Sequence, residues 1–259
     1  MTAPSPAGAH LGRRADPVRF ARESLAFEPD PPQAAILRDV SRRIVICGSR
    51  QWGKSTTVAA LAVHHMLHNA RALCLVLSSS GRQSGEFVRK AKGFLRHLGH
   101  KVRGDGQNQS SILLPTGARM VGVPDMDGTI RGFSAVTMLV VDEAAQVEDS
   151  AYMAVRPMLG VSRGTLILLS TPFGKRGFFH DEWRDGGPRW SRHFVPATEC
   201  PRLDPEFLEE ERVTLGDLAY RQEYLCEFLD EAQVVFPRNV VDRAFTRKAR
   251  PLWPKGRPD

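Results

Sequence analysis

Eight residues constrain this chain more than any others: Gly48-Ser49-Arg50-Gln51-Trp52-Gly53-Lys54-Ser55. They fit GxxxxGK[ST]. They follow the apolar run Arg43-Ile44-Val45-Ile46-Cys47 and open a helical run from Lys54 to about His68. A glycine loop in that context turns a strand into a helix, and its amides, with the helix N-terminus, bind phosphate oxygens. The pattern assigns Lys54 to the β- and γ-phosphates of ATP and the Ser55 hydroxyl to Mg²⁺. Residues 48–56, ending at Thr56, are the nucleotide-binding candidates.

A strand that feeds such a loop needs partners. Ala72–Leu77, Val136–Val141 and Thr165–Leu169 are short, almost wholly apolar runs, read as strands buried on both faces. Helical patterns lie between them: Val18–Phe27, Gln33–Arg42, a basic amphipathic stretch Gln83–Leu98, and a helix around Tyr152–Leu159. Ser111–Leu114 and Arg119–Val123 flank Pro115-Thr116-Gly117, a hairpin signal. Alternation of this kind predicts an α/β fold, a mostly parallel sheet with helices on both faces. The acidic stretch Asp204–Glu231 predicts a small C-terminal helical subdomain. The expected division is a disordered N-terminus over 1–16, a P-loop core over 17–197, a helical lid or linker over 198–236 and a basic tail over 237–259.

Composition excludes several classes. With 259 residues, 42% hydrophobic and 25% charged, the chain is of ordinary globular make-up rather than disordered throughout. It has no apolar run of about 18 residues, so no membrane-spanning helix is expected, and its first residues lack a signal-peptide core. Four scattered cysteines without a CxxC pair fit a reducing cytoplasm rather than a zinc ribbon. The formal charge of +7 suggests a polyanionic partner, but its distribution weakens that inference. Residues 237–259 hold seven Lys/Arg against two Asp, whereas 31–236 is close to neutral. Inside that span charge is polarised: 81–103 carries seven cations against Glu86, and 204–231 carries ten acids against two arginines.

Two further strand ends bear on the phosphate site. Met138-Leu139-Val140-Val141 runs into Asp142-Glu143. There Asp142 holds Mg²⁺ through its water shell, and Glu143 orients or deprotonates the attacking water. Leu168-Leu169 runs into Ser170-Thr171-Pro172, placing hydroxyls beside the γ-phosphate where they can couple hydrolysis to motion; an ordinary turn is the plainer reading. The Gln33 amide is suited to an adenine edge, or is a solvated helix residue. Arg50, in the loop, and Arg131, in Thr129-Ile130-Arg131-Gly132-Phe133, are candidates for stabilising transition-state charge in cis or trans. For Arg131 a loop anchor is an equal reading.

Together these residues resemble the ATPase domain of the large terminase subunit of tailed phages. The likeness runs through GSRQWGKST (48–56), SSSGRQS (78–84), TIRGFSA (129–135), VVDEAAQV (140–147), RPML (156–159), LSTPFGKRGFF (169–179) and QEYLCEF (222–228), roughly residues 30 to 237. It implies a RecA-like, ASCE-type P-loop NTPase that drives double-stranded viral DNA into a procapsid. Such motors act in the host cytoplasm as homo-oligomeric rings at a portal protein, with a terminase small subunit. Residue by residue, Lys54 and Ser55 become the Walker A pair and Asp142 and Glu143 the Walker B pair. Ser170 and Thr171 become the coupling motif, and Arg50 and Arg131 the cis or trans arginines. The family usually continues into a nuclease with clustered acidic residues. Here only Asp242 and Asp259 follow Pro237, and no nuclease activity is expected from this chain.

Two other functions compete. Asp142-Glu143-Ala144-Ala145 is close to a DEAD-like helicase signature, but the residues after Thr171 read as acidic helices and a tail rather than a second nucleotide-facing domain. A non-catalytic assembly protein that binds nucleotide would not need Lys54, Ser55, Asp142 and Glu143 together. His64 and His68 lack the Glu of HExxH and read as ordinary surface or packing histidines. Trp183 and Trp190 around Gly186-Gly187-Pro188 also read as packing, and Asp125 and Asp127 as a solvated turn. The basic helix admits two readings, a face that tracks DNA phosphates without reading bases or a solvated surface. Lys175 and Arg176 are further DNA candidates.

Overall fold

Apolar runs of five or six residues with no polar face can only be satisfied between two layers. The computed structural model, which describes residues 16–108, 110–125, 130 and 132–230, stacks four of them side by side. The strands are β1 (Arg43–Gly48), β2 (Leu73–Ser78), β3 (Ser111–Leu113), β4 (Arg119–Pro124), β5 (Met138–Asp142), β6 (Thr165–Ser170) and β7 (Ser191–Val195). They form one sheet in the order β3-β4-β2-β5-β6-β1-β7. All pairs are parallel except β3 with β4, the predicted hairpin. β6 therefore lies between the strand that feeds the glycine loop and the strand that ends in the carboxylates. Its register sets Cys47 opposite Ser170 and Asp142 opposite Leu169, so three strand tips reach one edge together.

Alternate side chains of each strand enter opposite cores. Ile44, Ile46, Cys74, Val76, Val140, Ile167 and Leu169 face one layer. That layer comprises α1 (Pro17–Leu25), α2 (Pro31–Arg38), α3 (Lys54–His68) and α4 (Gly81–His97). Val45, Cys47, Leu75, Leu77, Leu139, Val141 and Leu168 face the other, which comprises α5 (Asp149–Val155) and α6 (Gly177–Asp185). Each fully buried aliphatic chain contributes about 1.5–3 kcal/mol of transfer free energy, so this double-sided core suffices without disulfides, and all four cysteines are free and buried. Two more helices, α7 (Pro205–Leu215) and α8 (Asp217–Glu223), enclose a small separate cluster of Ala197, Tyr220 and Tyr224.

Differences from the sequence expectations have local causes. The second helix starts earlier and ends sooner than Gln33–Arg42. Asp30 caps it, accepting from the Gln33 amide at 2.8 Å while Gln33 Oε1 accepts from Asp30 N at 3.1 Å, a reciprocal capping box. It stops at Arg38 because Asp39 turns to φ −67°, ψ 117°, placing its carboxylate 2.8 Å from His193 Nε2. The helix expected near Tyr152–Leu159 becomes α5 and then a 3₁₀ turn over Arg156–Leu159, since Pro157 has no N–H for the ladder. α6 and β7 were not foreseen. His64 and His68 pack against the Phe20 ring, as expected of packing histidines. Trp190 is buried in the second core, with Trp183 packed against it. Among the described residues no group of three or more His, Cys, Asp or Glu is placed to hold a metal, and no helix is long and apolar enough to cross a membrane. Residues 1–15, Asp127, Arg131 and 231–259, on which several expectations fall, lie outside the described residues.

Candidate functional site

β1 ends at Gly48, and the loop that follows is held from three sides. Ser49 N donates to Val195 O at 2.8 Å, and Arg50 N to Glu223 O at 2.9 Å. Gly53, at φ +104°, is the residue before α3, in a conformation that favours glycine. A Cβ there would meet Gln33 Nε2 at 3.0 Å. No side chain caps α3, so its first amides point into the loop.

The Trp52 indole is fully buried, and its Nε1 donates to Asp30 Oδ2 at 3.1 Å. The Trp52 carbonyl accepts from Arg202 NH2 at 2.6 Å and Gln33 Nε2 at 3.3 Å. Arg202 NH1 lies 3.0 Å from Asp30 Oδ2. Asp30, Gln33 and Arg202 thus clamp the residue just before Gly53-Lys54 from both its side chain and its backbone. Asp30 and Arg202 were missed in the sequence. Asp30-Pro31-Pro32-Gln33 is a legible capping signature; Arg202 has no local signal. Both ends of the Gln33 amide are engaged here, so an adenine edge would have to displace one of these bonds.

The chemically active groups converge where β1, β5 and β6 end. Lys54, buried, donates from Nζ to Gly48 O and Ser49 O, both at 3.0 Å. Its ammonium is thus turned over the loop. Ser49 Oγ is buried and has no hydrogen-bond partner among the described residues. Ser55 Oγ donates to Asp142 Oδ1 at 2.9 Å. Burial, then the neighbouring Glu143 charge, push the Asp142 carboxyl up to about 6, with the Ser55 bond opposing them. Glu143 stands in the left-handed region at φ +54°, a conformation costing of order 1–3 kcal/mol and typical of active sites. Its Oε2 accepts from Ser170 Oγ at 3.3 Å. Thr171, also buried, follows Ser170.

Two oxygen donors 2.9 Å apart, one on a buried carboxylate held at unfavourable negative charge, fit a small hard divalent cation. Uncapped α3 amides, Lys54 and the unpartnered Ser49 hydroxyl fit phosphate oxygens.

The arginines and lysines divide. Arg50 is exposed on the loop, its NH1 3.9 Å from Glu223 Oε2. Lys175 is bound to Asp230 at 2.7 Å and Arg176 lies over the Phe173 ring. On α4, Phe87, Val88, Ala91 and Leu95 are buried while Arg82, Arg89, Lys90 and Arg96 are exposed, so cations and core residues occupy opposite faces.

A family model described as terminase large subunit, T4-like-virus type, N-terminal, matches residues 45–242. The large terminase subunit of Thermus phage G20c is 25% identical over 255 residues, covering 83% of this chain and 51% of that protein. That of Escherichia phage T5 is 25% identical over 228 residues, with the same coverage. Among solved structures, the large terminase ATPase domain of Thermus phage P74-26 aligns with a TM-score of 0.72 at 22% identity, over 82% of this chain and 98% of that one. That likeness is one of fold. The chain spans about half the length of the curated relatives it matches.

Proposed function

The chain belongs to the terminase large-subunit family, N-terminal part, and on that premise we propose that it is an ATP-hydrolysing motor unit that moves double-stranded viral DNA into a procapsid. The observation that carries this reading is the meeting of Ser55 with Asp142 and of Ser170 with Glu143 at one strand edge. Lys54 and the loop amides hold the β- and γ-phosphates. Ser55 and Asp142 are the residues that would hold Mg²⁺, which when bound neutralises charge on the phosphate oxygens. Glu143 orients the attacking water and accepts its proton. Ser170, bonded to Glu143, registers the change at that carboxylate and passes it along β6 with Thr171. Arg50 or Arg131 supplies charge to the transition state, in cis or from a neighbouring copy.

The exposed cations of α4 suit a sequence-independent phosphate track, as translocation requires. The proposed setting is the host cytoplasm, in a ring at a portal protein, with a terminase small subunit delivering DNA. The core over 17–197 carries the chemistry, and the helical unit from 198 onward touches the loop through Glu223 and Arg202. The test is ATP turnover with and without duplex DNA. DNA-stimulated turnover that Glu143→Gln abolishes supports the reading; turnover unchanged by Glu143→Gln overturns it.

A further inference from the structure

The edge of the sheet opposite the phosphate loop carries a second concentration of charge. β1 and β6 begin there, and two adjoining cavities of about 460 and 420 Å³ share Arg42, Arg43 and Arg156. Arg163 lines the first and Arg189 the second. Five guanidiniums therefore surround one cleft. Only Arg156 has a carboxylate within 4.0 Å among the described residues, Glu182 at 3.1 Å. Arg43 donates to Arg42 O at 2.8 Å and Gly164 O at 3.1 Å. Its guanidinium is held below its usual value by burial and then by Arg156, with Arg189 adding to the effect. The cations are thus close enough to repel one another, and an anion entering the cleft relieves that repulsion. Beside it two apolar side chains stand in water, Met153 at 65% and Val161 at 87% exposure.

The complementary surface lies at the other end of the same molecule. α7 packs Phe207 and Leu208 against the Tyr220–Tyr224 cluster on one face and leaves its opposite face in water. Glu206, Glu210 and Val213 are spaced i, i+4, i+7 and fall on one face. All three are exposed, Val213 to 74%. Among the described residues neither Glu206 nor Glu210 has a basic side chain within 4.0 Å, whereas Glu209 is already paired with Arg212. The helix presents two unpaired carboxylates and an apolar contact. The cleft presents unpaired guanidiniums and two apolar contacts. A bare DNA backbone would use the arginines but leave Met153 and Val161 without a role.

We propose that α7 of one copy docks in the arginine cleft of the next, with Glu206 and Glu210 between the guanidiniums and Val213 against Met153 and Val161. The two surfaces differ, so the contact is heterologous and runs head to tail, the type that closes rings. α7 adjoins the phosphate loop through α8, whose Glu223 carbonyl accepts from Arg50 N. Each cleft therefore meets a neighbour near its nucleotide site. The inference gives the proposed ring its contact surface and rests on that reading for closure.

The test is sedimentation velocity of three chains: wild type, Glu206→Arg/Glu210→Arg, and Arg42→Glu/Arg163→Glu. All four positions are exposed, and unchanged thermal melts check folding. Wild type should self-associate with concentration and dissociate as salt rises. Each reversed chain alone should associate at least about tenfold more weakly. An equimolar mixture of the two should associate more strongly than either alone, because the helix arginines of one chain then meet the glutamates introduced into the other's cleft, and its unaltered acidic helix meets an unaltered cleft. Unimpaired association of either reversed chain alone, or failure of the mixture, overturns the proposal. It is also overturned if the cleft reversal instead weakens retention on duplex DNA while the helix reversal does not. ATP turnover is read separately: loss of charge-swap rescue with turnover intact refutes the docking, and restored association with no turnover refutes the motor.

Discussion

The two edges of the sheet are built from the same strands and differ in how they treat charge. At the C-terminal edge, Lys54, Asp142 and Ser170 are buried and each is hydrogen-bonded to a neighbour. At the N-terminal edge, Arg42, Arg163 and Arg189 are exposed, with no carboxylate within 4.0 Å among the described residues. A buried charge must have its partner inside the fold, and its geometry is then fixed before any ligand arrives. An exposed charge costs little to leave alone and gains from a partner that comes later. The comparison predicts that substitutions at the first edge alter chemistry, and at the second only association.

The largest effect is expected at Glu143. Glu143→Gln keeps the shape and the Ser170 contact but removes the base, and turnover should fall by about 10³-fold or more, at the upper part of the range for general-base loss. ATP affinity, read by equilibrium binding, should change only a few-fold. A comparable loss of binding would mean that Glu143 shapes the phosphate site rather than the chemistry.

Next comes the clamp on Trp52. Asp30→Ala leaves the Trp52 indole N–H and the Arg202 guanidinium without their acceptor. The Trp52 donor is buried, and an orphaned buried donor costs about 1–3 kcal/mol, whereas Arg202 is half exposed and keeps its bond to the Trp52 carbonyl; the loop is the part free to relax. ATP affinity should fall about 10- to 100-fold, with a lowered melting temperature. Arg202→Ala, removing an outer strut, should lower affinity less, and Arg202→Lys should restore only part of it because it lacks the fork that grips both Asp30 and the Trp52 carbonyl.

This clamp also marks where sequence reasoning runs out. The strand, loop and helix around Lys54 were legible because each signal is local: an apolar run, glycines at fixed spacing, a helical run. The same holds for Asp142-Glu143 and Ser170-Thr171, which follow apolar strands directly. Arg202 stands 150 residues from the Trp52 carbonyl it holds, and nothing near it in the chain announces that contact. β7 was missed because it is a five-residue edge strand with two of its residues, Arg192 and Phe194, exposed. Such a strand carries no continuous apolar run. The end of α2 was misplaced because Asp39 is recruited by His193, from a strand far along the chain. Local pattern located the chemistry; the supports around it come from tertiary contacts.

Smaller effects should follow at the two partners of the carboxylates. Ser170→Ala removes a hydroxyl donor from Glu143 and should slow turnover about tenfold, the usual worth of one bond to a charged group. Asp142→Asn keeps an acceptor for Ser55 but removes a buried negative charge beside Glu143. Turnover should be lost while the nucleotide-free protein melts higher, by about 1–2 kcal/mol, as when a strained functional site is relieved. An Asp142→Asn chain that melts lower would mean this edge is stabilising rather than strained.

The smallest effect belongs to the arginine cleft. Arg163 and Arg189 are exposed and have no carboxylate within 4.0 Å among the described residues, so no described ion pair is lost when either is reversed. Arg163→Glu should change the unfolding free energy by less than about 0.5 kcal/mol, and removing one cation from a mutually repelling group favours the folded state slightly. ATP affinity of the dilute chain should stay within about twofold, since the cleft and the phosphate loop occupy opposite ends of the strands and exposed charges that far apart are screened at physiological salt. Calorimetry on the dilute chain measures both. A large loss of stability would show that the cleft, like the phosphate site, is tied into the fold, and the contrast between the two edges would fail at its weaker side.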